Sequence, residues 1–286
     1  VIAVSLLLPL LLTSIACAEP ARPETTAIAY GDFVEGTIDA AGDAYKFQGT
    51  SGDTIMVRVH ELVSSLHLRA RLYDPLGTLV ADESHYSQVR LTILLRRTGW
   101  HTLVLTDEGS ASGGYWLSLQ CWQHVLDGAT AIPYDYVVDD AAISPYGDMD
   151  AYSFSGSAGD SIVLRIRETS TSLHLRAQLV GPSGGILMDA THSTQVDVLK
   201  RLPETGGYAV IVNDEDGATT GGYWLGLQHW EGVIAGAQPI AYGSLVHESL
   251  DPYCDMDGYS FEGTAGDSVI IRLQETSSAL YPRLEL

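Results

Sequence analysis

The sequence predicts an all-β protein built of tandem β-sandwich modules, and three observations carry that expectation. Apolar residues alternate with polar ones at a period of two, Gly- and Asp-containing turns separate the alternating runs, and the whole pattern recurs after 107 residues. Tyr45, Tyr152 and Tyr259 measure the recurrence, since 152 − 45 = 107 and 259 − 152 = 107. That period exceeds the roughly 20–50 residues of a solenoid unit and is about the size of one small domain.

The elements follow in order. Residues 1–18 read as a secretory signal: "VIAVSLLLPLLLTSIACA" is apolar from Val1 to Ala16 apart from Ser5, Thr13 and Ser14 and ends in Ala16-Cys17-Ala18, a small-residue cleavage pattern. Pro9 and the shortness of the run argue against a membrane span. "SIAC" is also a loose lipobox, which makes a lipoprotein anchored at Cys17 the second choice. Repeat 1 then occupies 19–124, repeat 2 occupies 125–231, and an incomplete repeat 3 occupies 232–286. Within repeat 1, Ile55, Val57 and Val59 form one apolar edge, followed by Leu66, Leu68, Ala70 and Leu72, then Val89, Leu91, Ile93 and Leu95. Leu103 and Leu105 come next, and Tyr115, Leu117 and Leu119 close the set. One apolar face per strand means sheets wetted on one side, which pair into a sandwich. No helix of convincing length is expected. The chain opens on Val1 rather than Met, and repeat 3 stops at Leu286, the position of Leu179 and Leu72, so a fragment of a longer product is expected.

Composition narrows the partners. With 15 basic and 36 acidic residues the net charge is −21, which repels nucleic acid and anionic lipid and suits an extracellular protein or one that gathers cations. Beyond the signal only Cys121 and Cys254 remain, at non-equivalent positions whose counterparts are His229 and Gly147. No repeat therefore carries its own disulfide.

The succession "GDMDAYSFSGSAGD", "LHLRAQLVGPSGGIL", "ETGGYAVIVND" and "GGYWLGLQ" in repeat 2 resembles the bacterial pre-peptidase C-terminal domain. The resemblance covers both full repeats and the start of the third. It implies a jelly-roll-like β-sandwich appended to exported enzymes. It also implies calcium at a D-x-D just before the Tyr-x-Phe strand, placed at Asp148 and Asp150 here. Repeat 1 departs from the pattern, with Ala41 at the place of Asp148 and His101 at that of Tyr208. His101 is expected to fill a Tyr-sized core site.

Two clusters of side chains are candidates for function. Carboxylates gather at Asp148 and Asp150, at Asp255 and Asp257, and at Asp214, Glu215 and Asp216, and hard cations such as Ca²⁺ take six to eight oxygens from such loops. The alternative is that these Asp residues cap turns. The octapeptide "GGYWLSLQ" at Gly113 returns as "GGYWLGLQ" at Gly221, and in it Tyr115, Leu117 and Leu119 point inward. Trp116 and Trp122, with Trp224 and Trp230 in repeat 2, then point outward as stacking platforms for a polysaccharide or an extracellular protein. Alternatively, Trp122 and Trp230 cover the junction to the next module while Trp116 and Trp224 pack under a loop. Outward Arg58, Arg165 and Arg272, and Arg69, Arg176 and Arg283, are expected to pair with the recurrent Glu61, Glu168 and Glu275. No H-E-x-x-H, Walker loop or zinc-spaced cysteine pair occurs. The expectation is a secreted, non-catalytic binding, spacer or stabilising module. Its alternatives are the flank of a secreted hydrolase and an adhesin or matrix repeat protein.

Overall fold

The computed structural model describes residues 25–62, 65–109, 111–169, 173–251, 253–277, 280 and 282–286. The signal segment and Cys17 lie outside the described residues. Among these residues no helix is long and apolar enough to cross a membrane.

The alternating runs of repeat 1 become nine strands, β1 (Thr25–Ala27), β2 (Phe33–Ile38), β3 (Asp43–Gly49), β4 (Thr54–Glu61), β5 (Leu68–Tyr73), β6 (Leu79–His85), β7 (Gln88–Leu94), β8 (Gly99–Asp107) and β9 (Gly113–Cys121). A five-stranded sheet in the order β1-β3-β8-β5-β6 faces a four-stranded sheet in the order β2-β9-β4-β7. Within this repeat β1 and β3 pair in parallel and the other described pairs are antiparallel. Helix α1 (Trp122–Asp127) leads into repeat 2, where β10 (Thr130–Ala131), β11 (Tyr136–Ile143), β12 (Met149–Gly156), β13 (Ser161–Glu168) and β14 (Leu175–Val180) follow. The repeat is completed by β15 (Ile186–His192), β16 (Gln195–Arg201), β17 (Gly206–Asp214) and β18 (Gly221–His229). Its sheets, β10-β12-β17-β14-β15 and β11-β18-β13-β16, reproduce those of repeat 1 strand for strand.

Each sandwich encloses its own core, made by the inward sets that the period of two selects. Ile55, Val57, Val59, Leu103, Leu105, Tyr115, Leu117 and Leu119 interlock in repeat 1, and Ile162, Leu164, Ile166, Val210, Val212, Tyr223, Leu225 and Leu227 in repeat 2. Both cores contain one polar chain. Tyr115 Oη donates to Asp43 (2.6 Å) and meets Tyr45 Oη at 2.5 Å; Tyr223 Oη donates to Asp150 (2.7 Å) and meets Tyr152 Oη at 2.8 Å. A buried phenol without a partner is costly, so the acid at the strand entrance and the tyrosine on the closing strand require each other. The turn acids recur for a similar reason. Asp53, Asp160 and Asp267 each accept from a tyrosine hydroxyl, of Tyr30, Tyr134 and Tyr242 respectively, at 2.8, 3.1 and 3.0 Å.

His101 occupies the site of Tyr208 as expected: it is buried and stacks on Phe47 as Tyr208 stacks on Phe154. Three features escaped the periodicity. Strands β6 and β15 are mostly exposed edge strands with little apolar alternation. The residues after β9 and β18 turn into six-residue helices, α1 and then α2 (Trp230–Ala235), so Trp122 and Trp230 open helices rather than extend strands. In the third repeat only β19 (Gln238–Pro239) and β20 (Tyr259–Ser260) pair among the described residues. Ile270, Ile271 and Leu273 are exposed there, whereas their counterparts Val163, Leu164 and Ile166 are buried.

Candidate functional site

The outward faces of the four-stranded sheets hold the side chains that periodicity leaves unexplained, and the next repeat covers them. Trp116 is only 2 % exposed. Its indole lies between the His60 ring (5.5 Å, interplanar 4°) and the Tyr146 ring of repeat 2 (5.6 Å, 9°), with Phe33 tilted beside it. Trp224 repeats the arrangement one module later, stacked on Tyr253 at 5.3 Å and 5°. The covering tyrosines sit in "SPYGDMD" and "DPYCDMD", a Pro-Tyr loop between the first strand of the four-stranded sheet and the Tyr-x-Phe strand. Repeat 1 has no such loop. From Ile38 to Tyr45 is 45 − 38 = 7 positions, from Ile143 to Tyr152 is 152 − 143 = 9, and the shorter "DAAGD" carries no aromatic residue.

Polar contacts flank the Trp116 stack across the joint. Arg58 is 7 % exposed; its Nη1 makes a long 3.5 Å contact to the Gly147 carbonyl, which Ser118 Oγ also approaches at 3.4 Å. Burial, and then the charge of Arg90, push the Arg58 guanidinium down to about 10, with Asp214 acting in the opposite direction, so it is charged at neutral pH. Arg90 donates to the Glu215 carbonyl (2.6 Å) and to Asp216 Oδ1 (2.8 Å), and Gln88 donates to the Asp216 carbonyl. A small apolar cluster completes the contact. Met149, Val180, Ala209 and Ile211 from the outer face of the five-stranded sheet of repeat 2 pack with Met56, Trp122, Val125 and Leu126 of repeat 1 and its connecting helix. For that reason β17, "GGYAVIVND", is buried on both faces, while the alternating β8, "GWHTLVLTD", has Thr102, Val104 and Thr106 half-buried on its outer side.

The carboxylates have assigned work. Asp148 accepts from the Ser144 and Met149 amides (3.0 and 2.8 Å), and Asp255 does the same with Asp251 and Met256 (3.0 and 2.9 Å). Asp214 is 1 % exposed and accepts from the amides of His174, Ala218 and Thr219 and from Thr219 Oγ1. Asp216 pairs with Arg90 across the joint. Burial, with a smaller contribution from the Asp148 charge, raises Asp150 to about 6 against the lowering hydrogen bond from Tyr223. Asp257 is likewise raised, by burial and then by Asp255 and Glu248. Among the described residues no three His, Cys, Asp or Glu side chains gather as a metal site.

Arg69, Arg165 and Arg176 pair within the fold, but not with the acids expected. Arg69 is bidentate to Asp82 (2.6 Å to each oxygen) and reaches Glu108 at 2.7 Å, and Arg176 holds Asp189 and Glu215. Arg165 pairs with Asp197. Glu61 and Glu168 instead cap the Leu66 and Leu173 amides at 3.0 and 3.1 Å. Trp122 and Trp230 are half-buried at the starts of α1 and α2. The features that sequence reasoning passed over are the Pro-Tyr loops; their signal was a Tyr recurring in repeats 2 and 3 with no counterpart in repeat 1.

The architecture is that of a tandem all-β sandwich protein. The chain matches no protein-family model and no curated protein. Among solved structures it is similar to the pre-peptidase C-terminal domain of a collagenase from Bacillus anthracis, at 17 % identity over 34 % of this chain and 96 % of that one, with a TM-score of 0.31. It is also similar to Aeromonas hydrophila PliG, a periplasmic inhibitor of g-type lysozyme, at 12 % identity over 35 % and 97 % of the two chains and a TM-score of 0.28. The tandem CBM22 domains of Paenibacillus barcinonensis Xyn10C match at 8 % identity over 64 % and 81 %, with a TM-score of 0.21.

Proposed function

We propose that this chain is an exported, non-catalytic spacer whose sandwich modules are locked to one another. The observation that carries the reading is the burial of Trp116 under Tyr146 and of Trp224 under Tyr253. Those indoles are the aromatic surface a sugar or a partner would need, and each is consumed by the neighbouring repeat. Arg58 and Asp216 are committed to the same contact, and Asp214 is occupied by the amides of its own repeat. The apolar segment ending at Ala18 supports export, and the strongly acidic surface suits a soluble extracellular role. Calcium is not required by this reading.

The test is ¹⁵N relaxation of the chain in solution. Locked modules tumble as one body, so amides of repeats 1 and 2 yield a single rotational correlation time, and Tyr146→Ala splits or shortens it. Separate, shorter correlation times in the wild-type chain would defeat the spacer reading.

A further inference from the structure

The two joints are built alike but differ at one contact, and the difference is reciprocal. The octapeptides "GGYWLSLQ" and "GGYWLGLQ" diverge only at Ser118 and Gly226, and in the Pro-Tyr loops Gly147 is replaced by Cys254, 254 − 147 = 107 positions later. These positions face each other. A Cβ added at Gly147 would stand 2.7 Å from Ser118 Cβ and Oγ, and a Cβ added at Gly226 would overlap Cys254 Cβ and Sγ. Joint 1–2 therefore places its bulk on the tryptophan strand and its gap on the loop, and joint 2–3 does the reverse. The two positions share one backbone φ, +74° at Gly147 and +73° at Cys254. That left-handed conformation is ordinary for Gly and uncommon for a residue with a side chain, so Cys254 is held there by what it fills.

We propose that Ser118/Gly147 and Gly226/Cys254 are a matched pair of steric keys that make each joint accept only its own neighbour. The idea rests on the locked-module reading above. Repeats this similar can dock out of order, within one chain or between copies, because the stacking Trp and Tyr are the same in each joint. The keys forbid the interchange: the repeat 3 loop offered to the repeat 1 face would drive Cys254 into Ser118. The repeat 2 loop offered to the repeat 2 face of another copy would leave Gly147 over Gly226, with the void unfilled. Burial also raises the Cys254 thiol, to about 11, as expected of a sulfur used for packing.

The thiol itself reports on the joint. In the full chain, labelling with N-ethylmaleimide is followed at each cysteine by peptide mass spectrometry, with buried Cys121 as the internal silent site. Wild-type Cys254 should label slowly, and Gly226→Ser should speed it about tenfold or more, the size expected when a packed contact is overfilled. In the converse experiment Gly147→Cys should give a fast-labelling thiol and a lowered melting temperature. Adding Ser118→Gly should return both to the behaviour of Cys254 and of the wild-type chain. Failure of Gly147→Cys to fold, with folding restored by Ser118→Gly, supports the same conclusion. Slow labelling in all variants, or equal rates with and without Ser118→Gly, overturns the keys while leaving the locked modules standing. Fast labelling of Cys254 in the wild-type chain overturns the locked joint beneath them.

Discussion

Asp150 offers a quantitative test of the buried Asp–Tyr–Tyr chain. Its carboxylate is half-buried at the entrance of β12, accepts from Tyr223 and lies near Asp148. Burial is the main cause that lifts it from the ordinary 3.8 to about 6. A raised acid binds its proton more tightly in the folded than in the unfolded state. Folding is therefore not penalised below the unfolded value near 3.8, and stability is lost progressively as pH rises from about 4 to about 6. At about 1.4 kcal/mol per tenfold change in affinity, the gap sets a ceiling of about 3 kcal/mol, which partial contact with water reduces to about 1–2 kcal/mol. Asp150→Asn keeps an acceptor for Tyr223 and removes the titration. The melting temperature of Asp150→Asn relative to wild type should rise by about 2–8 °C between pH 4 and pH 7.5. Asp107, Asp160 and Asp189 are held below the ordinary range and act in the opposite sense, but they are common to both proteins and cancel in the difference. The same difference in melting temperature at both pH values would refute the placement of Asp150 in a desolvated chain.

Three further outcomes are expected. Tyr146→Ala should cost about 0.5–1.5 kcal/mol for the lost stack, before any loss of buried area, and should raise acrylamide quenching of tryptophan fluorescence through Trp116; unchanged quenching would mean that the joint does not form. Melting temperatures in calcium and in chelator should agree within about 1 °C, because the chain itself supplies hydrogen-bond partners to Asp148 and Asp214; a rise of about 4–8 °C per kcal/mol of linkage would show that those carboxylates hold the ion. Tyr208→Phe removes a 2.6 Å hydrogen bond to the Glu204 carbonyl and should cost about 0.5–1.5 kcal/mol by urea denaturation, whereas a neutral result would show that the carbonyl finds water instead.

The inner faces of this protein follow from sequence alone, because the strand period of two is a local property and one apolar edge admits one orientation of each strand. Ile55, Val57 and Val59, or Tyr115, Leu117 and Leu119, could be placed inside before any partner strand was known. The repeat itself, and the Tyr-sized site that His101 fills, were legible by the same register. The outer faces were not. Whether Trp116 meets solvent or a second module depends on residues about thirty positions away in another sandwich, and local alternation holds no information about that distance. That Trp122 and Trp230 open helices is not legible in the sequence, because six-residue helices are too short to leave a 3.6-residue period. The arginine partners, Asp82 and Asp189 instead of Glu61 and Glu168, depended on β6 and β15, edge strands whose weak alternation hid them. Only the packed modules place Ser118 opposite Gly147 and Cys254 opposite Gly226, since steric exclusion acts between atoms in contact and the chain separates each pair by about thirty residues.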